Sequence, residues 1–162
     1  MSTARLRSLR LVGFKSFAER TVVEFGPGIS AIVGPNGSGK SNLADALRWV
    51  LGEQGRTLRT RRAEDLIYAG SSTRRALGMA DVTVILDNED RLLPVDFAEV
   101  ELGRRLFRNG ENEFLLNRQR IFTGRQQSLI FCRQLHAHLI NSLSQTNRIA
   151  RQRLLEFGNA GE

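Results

Sequence analysis

The run Gly34-Pro35-Asn36-Gly37-Ser38-Gly39-Lys40-Ser41 constrains this chain more than any other feature. It fits the pattern G-x-x-x-x-G-K-[S/T] and sits between a β-branched apolar stretch and a segment with helical spacing, the context such a loop needs. Glycines without a Cβ let successive backbone N–H groups close around phosphate oxygens, and a helix N-terminus behind them adds a favourable dipole. In that arrangement Lys40 reaches the β and γ phosphates of a nucleotide, and Ser41 supplies a hydroxyl to Mg²⁺. At average composition the four fixed positions arise by accident in a chain of this length on the order of once in a hundred. The bland alternative is a glycine-rich turn beside an incidental lysine.

Composition narrows the rest. The 162 residues are 41% hydrophobic and 25% charged, enough for one core-forming domain and too apolar for wholesale disorder. A single Cys excludes a disulfide framework and a Cys-rich zinc site, which favours a reducing, cytoplasmic setting. Arg5, Arg7 and Arg10 are not followed by the apolar core of a secretory signal, and no stretch of about 18 apolar residues offers a membrane span. The formal net charge of +7 comes from 24 basic residues against 17 acidic ones, and the only lysines are Lys15 and Lys40. Such a balance suits partners that carry phosphate without identifying one.

Along the chain, residues 4–12 alternate apolar with basic, and residues 21–25 and 29–33 are β-branched runs separated by Gly26-Pro27-Gly28. All three read as strands, with residues 30–33 apolar enough for a buried central strand ending at Gly34. Leu43, Ala44, Leu47, Val50 and Leu51 predict a helix from Ser41 that Gly52 stops. Residues 53–62 lack periodicity and read as a loop. Residues 81–86 predict another strand, and residues 99–108 and 113–117 flank Asn109-Gly110 as a hairpin. From about Phe122 the texture turns to Gln, Asn, Ser and Arg, with Leu129, Cys132, Leu135, Leu139 and Leu143 on one face of an expected amphipathic helix.

Other candidate sites are weaker. Asp87 ends an apolar strand in the manner of a carboxylate that holds Mg²⁺ through water, but Asn88 interrupts an acidic pair, and a strand running into an Asp-Asn turn is commonplace. Cys132, His136 and His138 are three potential ligands where structural zinc takes four. Arg56, Arg59, Arg61, Arg62, Arg74 and Arg75 form either a solvated basic face or a set of contacts to a DNA backbone.

Three segments carry a resemblance. Gly13-Phe14-Lys15-Ser16-Phe17, the phosphate loop from Val33 through Asn42, and Arg48-Trp49-Val50-Leu51-Gly52-Glu53-Gln54 together resemble the N-terminal head half of bacterial SMC (structural maintenance of chromosomes) proteins. Residues 64–71, residues 82–88 and Phe114-Leu115-Leu116-Asn117 continue it, so that it covers roughly residues 5–120. The resemblance implies an α/β P-loop NTPase lobe of ABC and SMC-head type, with a mixed sheet, antiparallel edge strands and a C-terminal helical segment. It implies ATP and Mg²⁺ as ligands of Gly34, Pro35, Asn36, Gly37, Ser38, Gly39, Lys40, Ser41 and Asn42, with Ser41 on the metal through the nucleotide. Arg59 is similar to the family's arginine-loop residue, one position closer to Gln54 than usual, and Arg56, Arg61 and Arg62 become candidate DNA backbone contacts. The implied partners are DNA and either the C-terminal half of an SMC head or a second SMC head, in the cytoplasm at the nucleoid, for chromosome condensation and segregation.

The departures from the family lie after Arg120. A Gln segment that senses Mg²⁺ and γ-phosphate, the Leu-Ser-Gly-Gly signature and the Asp-Glu Walker B pair are missing, so ATP hydrolysis is expected only if a C-terminal half completes the head. The expected division is an SMC-like lobe over residues 1–120 and an atypical basic, helical tail over residues 121–162 from truncation or a frameshift, which the shifted frames of the coding DNA can test. Competing expectations are a non-enzymatic DNA-binding module with a remnant loop and a self-sufficient small P-loop NTPase using Asp87.

Overall fold

A computed structural model describes residues 5–28, 30–53, 60, 62–91, 93 and 95–121. The strands are β1 (Arg5–Val12), β2 (Thr21–Glu24), β3 (Met79–Asp87), β4 (Glu99–Phe107), β5 (Asn112–Leu116) and β6 (Gln119–Arg120). They form one six-stranded sheet in the order β2-β1-β3-β4-β5-β6, and every neighbouring pair is antiparallel. One helix, α1 (Lys40–Val50), packs across β3 and β4, and a short 3₁₀ turn occupies Ala63–Leu66.

Strand alternation sets the core. In β3 Ala80, Val82, Val84 and Leu86 face inward, and in β4 Val100, Leu102 and Leu106 do the same. Leu43, Ala46, Trp49 and Val50 of α1 cover them, joined by Leu9, Leu11, Phe14, Leu66, Ile67 and Leu93. Of the residues whose spacing predicted this helix, Leu43 and Val50 are buried, Leu47 and Leu51 pack partly against the core and Ala44 is exposed, while Ala46 and Trp49 complete the buried stripe. Each large side chain of this kind contributes about 1.5–3 kcal/mol on leaving water.

The other face of the sheet accounts for much of the charge. Arg5 pairs with Asp87 at 3.0 Å, Arg7 with Glu99 at 3.1 Å, Arg105 with Asp81 at 2.5 Å and Arg118 with Glu101 at 3.3 Å, while Arg120 pairs with Glu113. Arg5–Asp87 and Arg105–Asp81 are direct cross-strand partners in the antiparallel register, Arg7 reaches Glu99 across β3, and Arg118 reaches Glu101 from the turn before β6. Being near the surface, each stabilises by roughly 0–1 kcal/mol. They show that many arginines of this basic chain are matched locally.

The expected buried strand over residues 29–33 is not formed. Residue 29 lies outside the described residues; residues 30–33 are in no strand and are exposed, with Val33 at 88% and Ile32 at 43%. A strand needs backbone partners beside it. The six strands of the sheet pair only with one another, so nothing among the described residues stands next to residues 30–33. The expected mixed character of the sheet rested on that segment, and its described strands are antiparallel throughout. The expected helix over residues 129–143, and Cys132, His136 and His138 with it, lie outside the described residues.

Candidate phosphate-binding site

The loop of residues 34–39 leads directly into α1. Gly37 and Gly39 have φ of +82° and +92°, a left-handed conformation that glycine adopts without steric cost, and Gly39 is the N-cap of the helix. No side chain caps that end, and the first turn carries no acidic residue. Ser38 N–H donates to the Pro35 carbonyl at 3.3 Å, whereas the amides of Gly37, Gly39, Lys40 and Ser41 find no acceptor among the described residues. A helix end with unsatisfied donors and no negative charge nearby favours an anion.

Lys40 folds back on its own loop. Its Nζ donates to the carbonyls of Gly34 at 2.5 Å and Pro35 at 2.6 Å, with Ser38 Oγ at 3.5 Å. The ammonium thus ties the carbonyls of the loop together and stands beside the orphan amides. Ser41 is exposed, and its hydroxyl makes no hydrogen bond with described residues. Asn42 is oriented differently: its Nδ2 donates to Ser16 Oγ at 2.8 Å.

That contact belongs to a segment whose motif was legible but whose role was not. Residues 13–17 form a strap in which Phe14 N–H donates to the Phe17 carbonyl at 3.2 Å and Phe17 N–H to the Phe14 carbonyl at 2.8 Å. Lys15 N–H donates to the Leu66 carbonyl and Tyr68 N–H to the Gly13 carbonyl, both at 2.8 Å. On the helix side Lys15 Nζ meets Asp45 Oδ2 at 2.6 Å, and the Asp45 side chain is 3% exposed. Aspartate is a poor residue for the middle of a helix, so its burial on α1 is the signal that could have pointed to a partner.

A second unanticipated residue is Arg104, which the alternation of β4 turns toward the core. Its Nη1 donates to the carbonyls of Trp49 at 2.7 Å and Glu53 at 2.9 Å, its Nε donates to Asn112 Oδ1 at 3.1 Å, and its Cζ lies 4.6 Å from the ring centroids of both Trp49 and Phe114. The Trp49 carbonyl, which also accepts from Gly52 N–H at 3.0 Å, and the Glu53 carbonyl just beyond α1 thus meet a cation at the C-terminal end of the helix. Beside it, the Glu53 carboxylate hydrogen-bonds Arg48 and holds that guanidinium above its ordinary range.

The remaining expected site residues divide. Arg56, Arg59 and Arg61 lie outside the described residues. Arg62 is exposed, and its backbone N–H donates to Asp65 Oδ2 at 2.9 Å; Arg74 pairs with Glu19 at 2.6 Å. Asp87 sits at the far end of β3 from Met79, the residue that the strap's Gly13 touches. At about 3.4 Å per residue the strand separates those ends by roughly 25 Å. Its carboxylate takes Arg5 at 3.0 Å and the Glu89 amide at 3.1 Å, and no cluster of three potential metal ligands exists among the described residues.

An antiparallel sheet covered by a helix whose glycine-rich N-terminal loop is open to an anion defines the N-terminal lobe of a P-loop NTPase head. The chain belongs to the RecF/RecN/SMC N-terminal domain family, which it matches over residues 5–140. It is 58% identical over 115 residues to the chromosome partition protein Smc of Bacillus subtilis, covering 70% of this chain and 10% of that protein. It is likewise 58% identical over 113 residues to the Smc of Mycobacterium tuberculosis, covering 69% and 9%. It therefore spans about a tenth of the length of these relatives. Among solved structures it is similar to the Smc head domain of Pyrococcus furiosus bound to the C-terminal domain of ScpA, with TM-score 0.73, 37% identity and coverage of 80% of this chain and 33% of that one. It also matches an SMC ATPase studied for ATP-driven dimerization and DNA-stimulated activation, with TM-score 0.71, 36% identity and 78% of each chain covered. The resemblance seen in the sequence is thereby borne out, and the fold is that of an SMC head's N-terminal lobe. No helix among the described residues is long and apolar enough to cross a membrane.

Proposed function

We propose that this chain binds Mg²⁺-ATP as the N-terminal half of an SMC-type ATPase head in chromosome condensation and segregation, and that hydrolysis awaits a C-terminal half. The uncapped start of α1 carries this reading: four amides without acceptors, two left-handed glycines and a lysine at the loop mouth suit a polyphosphate. Gly34, Pro35, Asn36, Gly37, Ser38 and Gly39 supply the backbone cradle. Lys40 exchanges its carbonyl partners for β and γ phosphate oxygens, Ser41 offers its free hydroxyl to the metal, and Asn42 closes the flank of the site. Ser41 would hold Mg²⁺ together with the nucleotide, and the metal would supply charge neutralisation at the phosphates.

Among the described residues Asp87, the carboxylate considered for the metal, is engaged by Arg5 at the distant end of β3. A C-terminal head half, or a second SMC head, supplies what is absent. The exposed apolar residues Ile32 and Val33 support such a completing partner. Arg59 acts as an arginine-loop residue and Arg56, Arg61 and Arg62 contact DNA phosphates, which makes DNA affinity fall as salt rises. The SMC-like lobe is assigned to residues up to about 120, the expected tail beyond it lies outside the described residues, and the protein works in the cytoplasm at the nucleoid.

Titration with a fluorescent ATP analogue and Mg²⁺, alongside phosphate release, tests the reading. Wild type binds with negligible turnover, and Lys40→Ala weakens binding about a hundredfold, or about 2.7 kcal/mol. Turnover abolished by Asp87→Ala would instead establish a self-sufficient NTPase. Salt-sensitive DNA binding without any ATP binding would leave a DNA-binding module with a remnant loop.

A further inference from the structure

Only two of the 24 basic side chains are lysines, and both serve α1. Lys40 begins the helix, and Lys15 grips its flank through Asp45. Besides the ring contact of Phe14 with Trp49, whose centroids lie 5.4 Å apart, the strap of residues 13–17 meets the flank of the helix at positions 39, 42 and 45. Gly39 is so close that a Cβ there would come 3.0 Å from Phe17 Cζ and 3.3 Å from Ser16 Oγ, Asn42 bonds Ser16, and Asp45 bonds Lys15. Positions 39, 42 and 45 are spaced by three and lie along one flank of the helix. The first of them is the N-cap whose neighbouring amides face the proposed ligand.

The strap is itself held to the sheet side of the molecule. Its backbone bonds reach the carbonyl of Leu66 and the amide of Tyr68, and Gly13 is packed against the Met79 carbonyl so tightly that a Cβ would lie 2.2 Å from that oxygen. Lys15 adopts φ +48°, which a lysine occupies only when surrounding bonds hold it there. The strap therefore links the sheet to the N-terminal two turns of α1 through polar and close backbone contacts, in addition to the packing of Phe14 in the core.

We infer that this strap fixes the height and rotation of the phosphate-binding helix end, with Lys15 and Ser16 as positioning residues for the phosphate loop. The inference rests on the nucleotide reading above and deepens it. Amides that converge on an anion contribute only while their directions are fixed, so releasing the flank of α1 weakens binding without removing a ligand-contacting group. A lysine suits the Asp45 contact because its compact ammonium meets one carboxylate oxygen in a mostly buried setting.

The test uses the full chain as wild type, Lys15→Met, Lys15→Arg, Ser16→Ala and Lys40→Ala. Two quantities are read: affinity for a fluorescent ATP analogue with Mg²⁺, and amide hydrogen exchange of Asn42 and Leu43 without nucleotide. Lys15→Met and Ser16→Ala are expected to weaken binding by about fivefold, the effect of one hydrogen bond. Both also speed exchange at Asn42 and Leu43 while the amides of β3 and β4 keep their wild-type rates. Lys15→Arg keeps the charge and returns affinity to within about twofold of wild type. Ser16 is exposed, so Ser16→Ala decides the matter if Lys15→Met does not fold. Wild-type affinity and wild-type exchange in the folded variants overturn the inference, as does faster exchange spread evenly over the sheet. If wild type binds no more ATP than Lys40→Ala, the nucleotide reading fails, and the exchange rates at Asn42 and Leu43 still decide whether the strap fixes the helix end.

Discussion

Gly13 has φ +69°, and the space beside its Cα is filled by the Met79 carbonyl. A methyl group there meets both a left-handed backbone, unfavourable by about 1 kcal/mol for an L-residue, and a backbone atom that cannot rotate away. Gly13→Ala is therefore expected to destabilise the fold by about 2–4 kcal/mol. Urea unfolding followed through Trp49, the single tryptophan, measures it; a loss below about 1 kcal/mol would show that the strap sits further from β3 than described. The glycine was legible as part of the motif Gly13-Phe14-Lys15-Ser16-Phe17. Its reason was not, because the carbonyl that demands it comes from residue 79 and is brought there by strand pairing.

At the scale of elements, α1 is held at both ends by side chains from distant segments. The strap secures its N-terminal turns, and Arg104 secures its end, stacked between Trp49 and Phe114 and bonded to two carbonyls. Arg104→Leu leaves the carbonyls of Trp49 and Glu53 and the side chain of Asn112 without this donor, a loss of about 2–4 kcal/mol. Arg104→Lys keeps the charge but lacks the planar fork, so it is expected to recover less than half of that loss. Equilibrium denaturation of the three proteins checks the order; full recovery by lysine would mean that charge alone holds the helix end. The strands β1 to β5 follow the runs marked by alternation and by the Asn109-Gly110 turn, because local patterning is enough to mark strands, whereas the pairing of β1 with β3 joins segments far apart along the chain. Asn88 illustrates what patterning leaves out. It was legible as a turn residue, yet it is 1% exposed, accepting from Leu93 N–H and donating to the carbonyls of Val95 and Phe97, so it organises the whole β3 to β4 connection.

For the molecule as a whole, the informative place is residues 30–33, where an apolar β-branched segment stands in solvent. Val33→Ser should change the stability of this chain by no more than about 0.5 kcal/mol, since an 88% exposed side chain has little burial to lose. A thermal or urea midpoint shift worth more than about 1.5 kcal/mol would show that the segment is buried in solution. In a completed head the same substitution is expected to weaken assembly. Sequence by itself determined the phosphate loop, the helix that follows it, the hairpin and the family, because each is written in residues close together along the chain. Only the tertiary structure decided that Asp87 is engaged by Arg5, that Lys15 and Ser16 grip the flank of α1, that Arg104 closes its far end, and that residues 30–33 have no strand beside them among the described residues. Those outcomes depend on which distant groups arrive as neighbours, and burial and hydrogen bonding between such groups are fixed by the packing of the sheet against the helix.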